Sequence, residues 1–350
     1  MHSLKFNAPK IVLLFQTSEK LYNLEDNLSM KRLIFTLILI THSFYGFSQD
    51  EDLSIDSAPD TVKIGAYIIS IHDINFQDKE YTLRFWLWAL FDNVGFDLSK
   101  QLDIPNAKSI DEPLTIVDVV DGTTWQLMKL RATMKQNWKV GNYPFDKQHL
   151  VVHIENTIFD KSSLVFKPDQ LGSGYDRELT LDGWSISNFE VIANDKEYTT
   201  VFGDPSSDML HSEYSSFDII IDIERDGWGL FWKLFSGMYI AFLIAMVSFG
   251  LQVNELEPRF GLPVGGLFAA VGNKYIIDSL LPESNTFTLV DSLHSITFLS
   301  IFIILFLSAV TLHSYHKGNV NQAKKINFVS AIAVFIAFVG INSFLVFKAL

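Results

Sequence analysis

His149 and His153 stand four residues apart, a spacing that could hold a metal ion between two imidazoles. They fall in a run with strand character and find no third ligand in register. The spacing therefore reads as two ordinary strand histidines, and no metal site is expected. No nucleophile elbow, phosphate-binding loop or zinc-protease motif occurs in the chain. Nothing in the residues speaks for an enzyme, and no cofactor is required. Nine histidines and 40 acidic residues make proton sensing possible, because histidine titrates near neutral pH. A different chemistry is suggested by the stretch from Pro258 to Pro282. It is mostly apolar and long enough to cross a bilayer, yet it contains the small residues Gly261, Gly265, Gly266, Ala269, Ala270 and Gly272. Asn273, Lys274 and Asp278 are polar. Small residues let helices approach closely, and polar groups at membrane depth face a bundle interior or a water-filled path. The stretch reads as the inner helix of an assembly or, in the plainer alternative, as a central helix packed without a pore.

The elements that must position these groups fall into two parts. The chain has 350 residues, 48% of them hydrophobic, and a formal net charge of -13. That length allows two domains, and the acidity argues against a nucleic-acid partner, whose phosphates require a basic patch. The excess acid lies between Asp50 and Asp226, whereas the remainder is near neutral and very apolar. Cysteine is absent, which excludes a disulfide framework and a thiolate metal site. Met30-Lys31-Arg32, the apolar run Leu33 to Ile40 and the small residues Gly46 and Ser48 form a charged, an apolar and a cleavage region. Residues 30–48 are therefore expected to be a secretory signal peptide, residues 1–29 an upstream extension, and the mature chain to begin near Gln49.

From Thr61 the pattern alternates. Strand-like runs are expected at Val62 to Ile68, Tyr81 to Phe91, Leu114 to Val120, Trp125 to Lys135, His149 to Ile158, Trp184 to Ala193 and Phe217 to Arg225. Asp121-Gly122 signals a hairpin between two of them. Many short strands with regular turns predict an all-β, immunoglobulin-like sandwich over residues 49–226. After Asp226 four apolar segments follow, near residues 230–251, 260–281, 293–312 and 326–347, each able to cross a bilayer. They predict an all-α four-helix transmembrane domain over residues 227–350. With the sandwich outside, the inner link from Ser314 to Lys325 carries His316, Lys317, Lys324 and Lys325, while the outer link from Pro282 to Asp291 has no Lys or Arg. This obeys the positive-inside rule and agrees with the signal peptide.

Tyr143-Pro144-Phe145-Asp146-Lys147-Gln148 resembles the signature loop of the pentameric ligand-gated ion channels, the Cys-loop receptor superfamily. Gln136 and Leu150 stand where animal members have the bridging cysteines, so the chain is most similar to the bacterial branch without the disulfide. Val62 to Asp92 resembles the first two strands, and Asp103-Ile104-Pro105-Asn106 the first agonist-site loop, with Asp103 in place of the usual Trp. Asp182-Gly183-Trp184 through Phe189, Arg225 and Leu281-Pro282 match further landmarks in order. The chain departs from the family in a short segment between Asp92 and Tyr143. It also lacks a proline in the first membrane helix, where Phe235-Ser236-Gly237-Met238 lies.

The resemblance implies a homopentamer in a bacterial inner membrane, multi-pass, with the N-terminal domain in the periplasm. Its partners would be further copies of the chain, membrane lipid, an unknown small-molecule ligand or protons, and permeant inorganic ions. Asp73, Asp146 and Arg225 would meet at the membrane surface, with Tyr143, Pro144, Phe145 and Pro282, to couple sandwich to helices. The agonist site would lie between neighbouring sandwiches. A cation is commonly held by ring faces, and the candidates are Phe85, Trp125, Tyr175, Phe202, His211 and Tyr214. Counting back from Leu281-Pro282 puts Glu257 at the inner mouth and Gly261, Gly265, Phe268, Gly272, Tyr275 and Ser279 along one helical stripe lining a pore. Five Glu257 carboxylates would favour cations, although anion-selective members carry a Pro and an Arg near Pro258-Arg259. The alternative is a membrane-anchored, non-conducting ligand-binding sensor of the same fold.

Overall fold

The computed structural model describes residues 58–205 and 210–350; the expected extension, signal peptide and start of the mature chain lie outside the described residues. Eleven strands come first: β1 (Asp60–Asn75), β2 (Glu80–Phe91), β3 (Leu102–Asp103), β4 (Ala107–Ile110), β5 (Leu114–Val120), β6 (Thr123–Lys135), β7 (Lys147–Asn156), β8 (Leu164–Pro168), β9 (Gly174–Tyr175), β10 (Trp184–Tyr198) and β11 (Ser212–Arg225). One sheet runs β4-β6-β2-β1-β8, with β5 also on β6 and β9 on β1; the other runs β10-β11-β7-β3. Alternation along each strand decides which side chains meet between the sheets. Leu83, Phe85, Leu87 and Ala89 point inward from one sheet, and Leu150, Val152, Ile154, Phe217, Ile219, Ile221 and Ile223 from the other, all within one buried core. At the β5–β6 hairpin, Asp121 and Gly122 both have positive φ, 52° and 91°. That mirror-image turn matches the twist of paired strands. The sandwich is not wholly antiparallel, since β1 pairs in parallel with β8 and β9. Those pairings join distant segments, so local periodicity carries no sign of them.

Four long helices follow: α1 (Gly227–Val247), α2 (Leu256–Asp278), α3 (Leu289–His316) and α4 (Val320–Ala349). All four are long and apolar enough to cross a membrane. Thr288 and Asp291 cap the start of α3 reciprocally. The Thr288 hydroxyl accepts from the Asp291 N–H at 3.2 Å, and the Asp291 carboxylate accepts from the Thr288 N–H at 2.9 Å. Along α3 the small polar residues Thr297, Ser300, Ser308 and Thr311 are buried, while Leu299, Phe302 and Phe306 are exposed. This is the arrangement of a bundle whose outer surface meets lipid.

Helix α2 touches its neighbours along one face. A Cβ added at Gly266 would lie 2.6 Å from the Ala241 carbonyl oxygen of α1, whereas one added at Gly265 meets nothing within 4 Å. Two neighbouring glycines therefore have opposite surroundings. Gly266→Ala is expected to push α1 from α2 and cost about 1–3 kcal/mol, seen as a lower Tm of the detergent-solubilised protein. Gly265→Ala is expected to leave Tm unchanged or raise it slightly, by about 0.5–1 kcal/mol of helix propensity.

Candidate functional site

Arg225 ends β11 at the edge of the helical domain, and its charge is almost withdrawn from water. Its side chain is 12% exposed and that of its partner Asp146 is 1% exposed. Nε donates to Asp146 Oδ1 at 2.7 Å and Nη2 to Oδ2 at 3.3 Å, a two-pronged fit of guanidinium on carboxylate. Gln148 Nε2 adds a third donor to Asp146 Oδ2 at 2.7 Å. The faces of the guanidinium are covered by rings: Trp184 at 3.9 Å, Phe76 at 4.9 Å and Tyr143 at 5.1 Å. Three separate segments thus converge on one cation.

The signature loop is closed by amides. Gln136 Nε2 donates to the His149 carbonyl at 3.1 Å. Gln148 clasps Lys139 twice, accepting from its N–H and donating to its carbonyl, both at 3.0 Å. Below it, Phe145 meets Trp228 and Phe231 of α1 at ring separations of 5.1 Å and 5.6 Å. Gly227 lies directly under the Pro144 carbonyl, where a Cβ would collide. The Tyr143-Pro144 bond is cis. Leu289 N–H donates to the Gly141 carbonyl at 2.8 Å, tying the same loop to the start of α3. Gln77, from the β1–β2 loop, donates to the Ser279 carbonyl at the end of α2. Pro282 is buried in the link that follows.

Asp73 does not join Arg225 and Asp146. Its side chain is 69% exposed and bonds locally, to His72 at 2.8 Å and Thr82 at 3.3 Å. The His72 hydrogen bond is the main influence holding its carboxyl below the usual range. Asp73 has φ 54° at an irregularity in the β1–β2 pairing, and Phe76, in the loop that follows, is the residue that reaches the guanidinium.

A second feature lies at the far end of the sandwich. A cavity of about 300 Å³ is lined by Asp103, Glu155, Asn156, Thr157, Tyr198, Phe202 and Tyr214. The ring of Tyr198 stands 5.3 Å from Phe202 and 5.9 Å from Tyr214, and its hydroxyl donates to Glu155 Oε2 at 2.8 Å. Desolvation and then the Glu155 carboxylate push the Tyr198 hydroxyl up to about 12. Phe202 and Tyr214 both line this cavity, each against the ring of Tyr198. Phe85 is fully enclosed in the sandwich core, so its ring packs there and is closed to a ligand. Trp125 on β6 is half-buried, Tyr175 on β9 tilts against Phe189 at 5.8 Å, and His211 is exposed. None of these three lines the cavity.

On α2, Glu257, Gly261, Gly265, Phe268, Gly272, Tyr275 and the following Ser279 are all exposed, Phe268 to 72% and Tyr275 to 77%. Arg259, Pro263, Gly266, Ala270 and Ile277 are buried on the other side. Arg259 is fully enclosed. It donates to the carbonyls of Ser248 at 3.4 Å and Leu251 at 3.3 Å and to Asn327 of α4. Its charge is therefore turned away from Glu257. At mid-bundle, Asn273 donates to the Leu234 carbonyl of α1 at 3.0 Å and meets His294 Nε2 of α3 at 3.1 Å, while His294 Nδ1 meets the Val290 carbonyl at 2.8 Å. Lys274 pairs with Asp278 at 2.6 Å and Asp291 at 2.8 Å.

No family model matches the chain. A proton-gated ion channel of Gloeobacter violaceus is 23% identical over 315 residues, which cover 84% of this chain and 84% of that protein. Over most of its length the chain is similar to that channel, in keeping with the resemblance of its signature loop to the pentameric ligand-gated ion channels. With its four long apolar helices it is a multi-pass membrane protein. The junction residues that sequence reading missed are Phe76, Trp184 and Gln148, and the cavity residues are Glu155 and Tyr198. A near-buried Arg needs ring faces as well as a carboxylate, so the aromatic residues flanking the matched landmarks were the available sign.

Removing Asp146 leaves the guanidinium without its charge partner. Asp146→Ala is expected to cost about 3–5 kcal/mol, measured by thermal or denaturant unfolding in detergent. Asp73→Asn, at an exposed position that tolerates positive φ, is expected to stay within about 0.5 kcal/mol.

Proposed function

We propose that the chain is one subunit of a homopentameric ligand-gated ion channel of a bacterial inner membrane, with the sandwich in the periplasm and α2 around the axis. The observation that carries this reading is the exposed stripe from Glu257 to Ser279 on a helix whose opposite face is packed. A bundle of one copy leaves that stripe uncovered, and five copies would turn it toward a common path. Ligand at the Tyr198–Phe202–Tyr214 cavity, or protons, would favour an open arrangement by binding it better than the closed one. A neighbouring copy could present Trp125 and Tyr175 from its other sheet. The relative's description as proton-gated favours protons as one such ligand. The Arg225 clamp would carry movement from β11 and the signature loop to α1 and to the link at Pro282.

Cation preference is supported by Glu257, which is exposed, and by Arg259, which is enclosed and directed at α4. Phe268 would close the path by dewetting when five rings meet. The same bulky rings, Phe268 and Tyr275, favour a second reading, a non-conducting sensor whose axis stays shut.

Crosslinking of the membrane-inserted protein is expected to give a ladder ending at five. Planar-bilayer recording is expected to give current on acidification or with a small amine. It should reverse toward the cation equilibrium potential, and selectivity should weaken in Glu257→Gln. Silence in both the parent and Phe268→Ala, with pentamers confirmed at the surface, would overturn the channel in favour of the sensor. A stable monomer would overturn both.

A further inference from the structure

β7 and β11 run antiparallel from the membrane junction outward, Lys147 opposite Glu224 and Glu155 opposite Ser216. Their outward face carries a row of acid–base rungs. Lys147 meets Glu224 at 3.1 Å, His149 Nδ1 meets Asp222 Oδ1 at 2.6 Å, and His153 Nδ1 meets Asp218 Oδ1 at 2.7 Å. The Val151–Ile220 rung between the histidines is apolar. From β10, Asn188 Nδ2 donates to Asp222 Oδ2 at 3.2 Å and Asn194 Nδ2 to Asp218 Oδ2 at 2.6 Å.

With each aspartate as a carboxylate, both of its oxygens accept, so each histidine presents its hydrogen on Nδ1. Nε2 is left as the basic atom. A proton taken from water onto Nε2 changes the rung from a neutral donor on a carboxylate to an ion pair, which adds the attraction of opposite charges to the hydrogen bond. The two histidine rungs lie on the strands that the Arg225–Asp146 clamp closes, where Arg225 N–H also donates to the Asp146 carbonyl at 3.2 Å. His149 stands three residues from Asp146, roughly 10 Å along the strand.

We propose that His149 and His153 are proton-binding sites, and that proton uptake at their Nε2 atoms tightens the β7–β11 seam ending in the Arg225–Asp146 clamp. As a gating input this rests on the channel reading; as a proton site it stands on the strands alone. The charged groups around His153 are Asp218 on β11, Lys196 on β10 and Glu155 on β7. Asp195 and Tyr198 share with them an adjoining cavity of about 510 Å³. Around Asp222 they are His149 and Lys139, with the Lys147–Glu224 rung next in line. The hydrogen bond to Asp218, acting against partial burial, raises the His153 imidazole above its ordinary value. A histidine raised in the folded state stabilises fully below its unfolded pKa, about 6.5, and loses that contribution as pH rises through the folded value. The seam is therefore tight in acid and looser in alkali.

The test compares the full-length protein in detergent with His149→Gln, His153→Gln and the double variant, since Gln cannot take the proton. The Tm advantage of the parent over the double variant is expected to be largest near pH 5 and to shrink as pH rises past neutral. An advantage that does not change with pH overturns the proposal. Should a variant fail to fold, imidazole NMR titration of the parent decides instead. A signal titrating above the ordinary histidine range and broadened by Asp218→Asn-sensitive exchange supports the sites, and histidines that all titrate at the ordinary value overturn them. In bilayers, the proton concentration for half-maximal current should shift at least about threefold, half a pH unit, in the double variant. Current with an unmoved midpoint overturns the gating role. No current from any protein, with the pH-dependent Tm difference retained, overturns the channel reading and supports the proton sites.

Discussion

A guanidinium removed from water must be given a counter-charge, hydrogen-bond acceptors in its plane, and something polarisable over its faces. Arg225 receives the first two from Asp146 and the third from rings of three separate segments. Asp146 and Tyr143 require the signature loop to fold under β11. Trp184 fixes the start of β10, and Phe76 draws in the β1–β2 loop. Breaking such a pair costs about 3–5 kcal/mol, a large share of the stability of a typical domain. The loops at the base of the sandwich are thus held in one arrangement by a single charge. Phe145 and Gly227 then set the position of α1 beneath them.

The same accounting governs the helices, where no water is at hand to satisfy polar atoms. Asn273, His294 and the Leu234 and Val290 carbonyls satisfy one another across three helices. At the other end Arg259 and Asn327 engage the carbonyls of Ser248 and Phe249 just past α1, while Arg259 Nε is left without a hydrogen-bond partner. These contacts occupy one side of α2. The other side is left to glycine, phenylalanine and tyrosine with nothing of the same chain against it.

Local pattern made the strands and helices legible, because alternation and long apolar runs are properties of adjacent residues. The parallel partners of β1 were not legible, since they join it to residues about 100 positions away on the chain. Phe85 shows alternation read too loosely: it shares its parity with Leu83 and Leu87, and the three point into one core. Asp73 shows a different limit. A resemblance can bring a loop to the junction, but it does not say which side chain reaches the guanidinium: Asp73 is still within β1, and Phe76 in the loop beyond takes that place. Tyr198 and Glu155 were hidden in strands whose ends happen to border the cavity.

The amide closure of the signature loop has a consequence for where such a molecule can be made and kept. Gln136 and Gln148 hold the loop through hydrogen bonds to backbone atoms, in a chain that contains no cysteine. Its closure needs no oxidant and no partner thiol. A reducing or an oxidising medium is the same to it. The geometry beside Arg225 is therefore insulated from the redox poise of its surroundings.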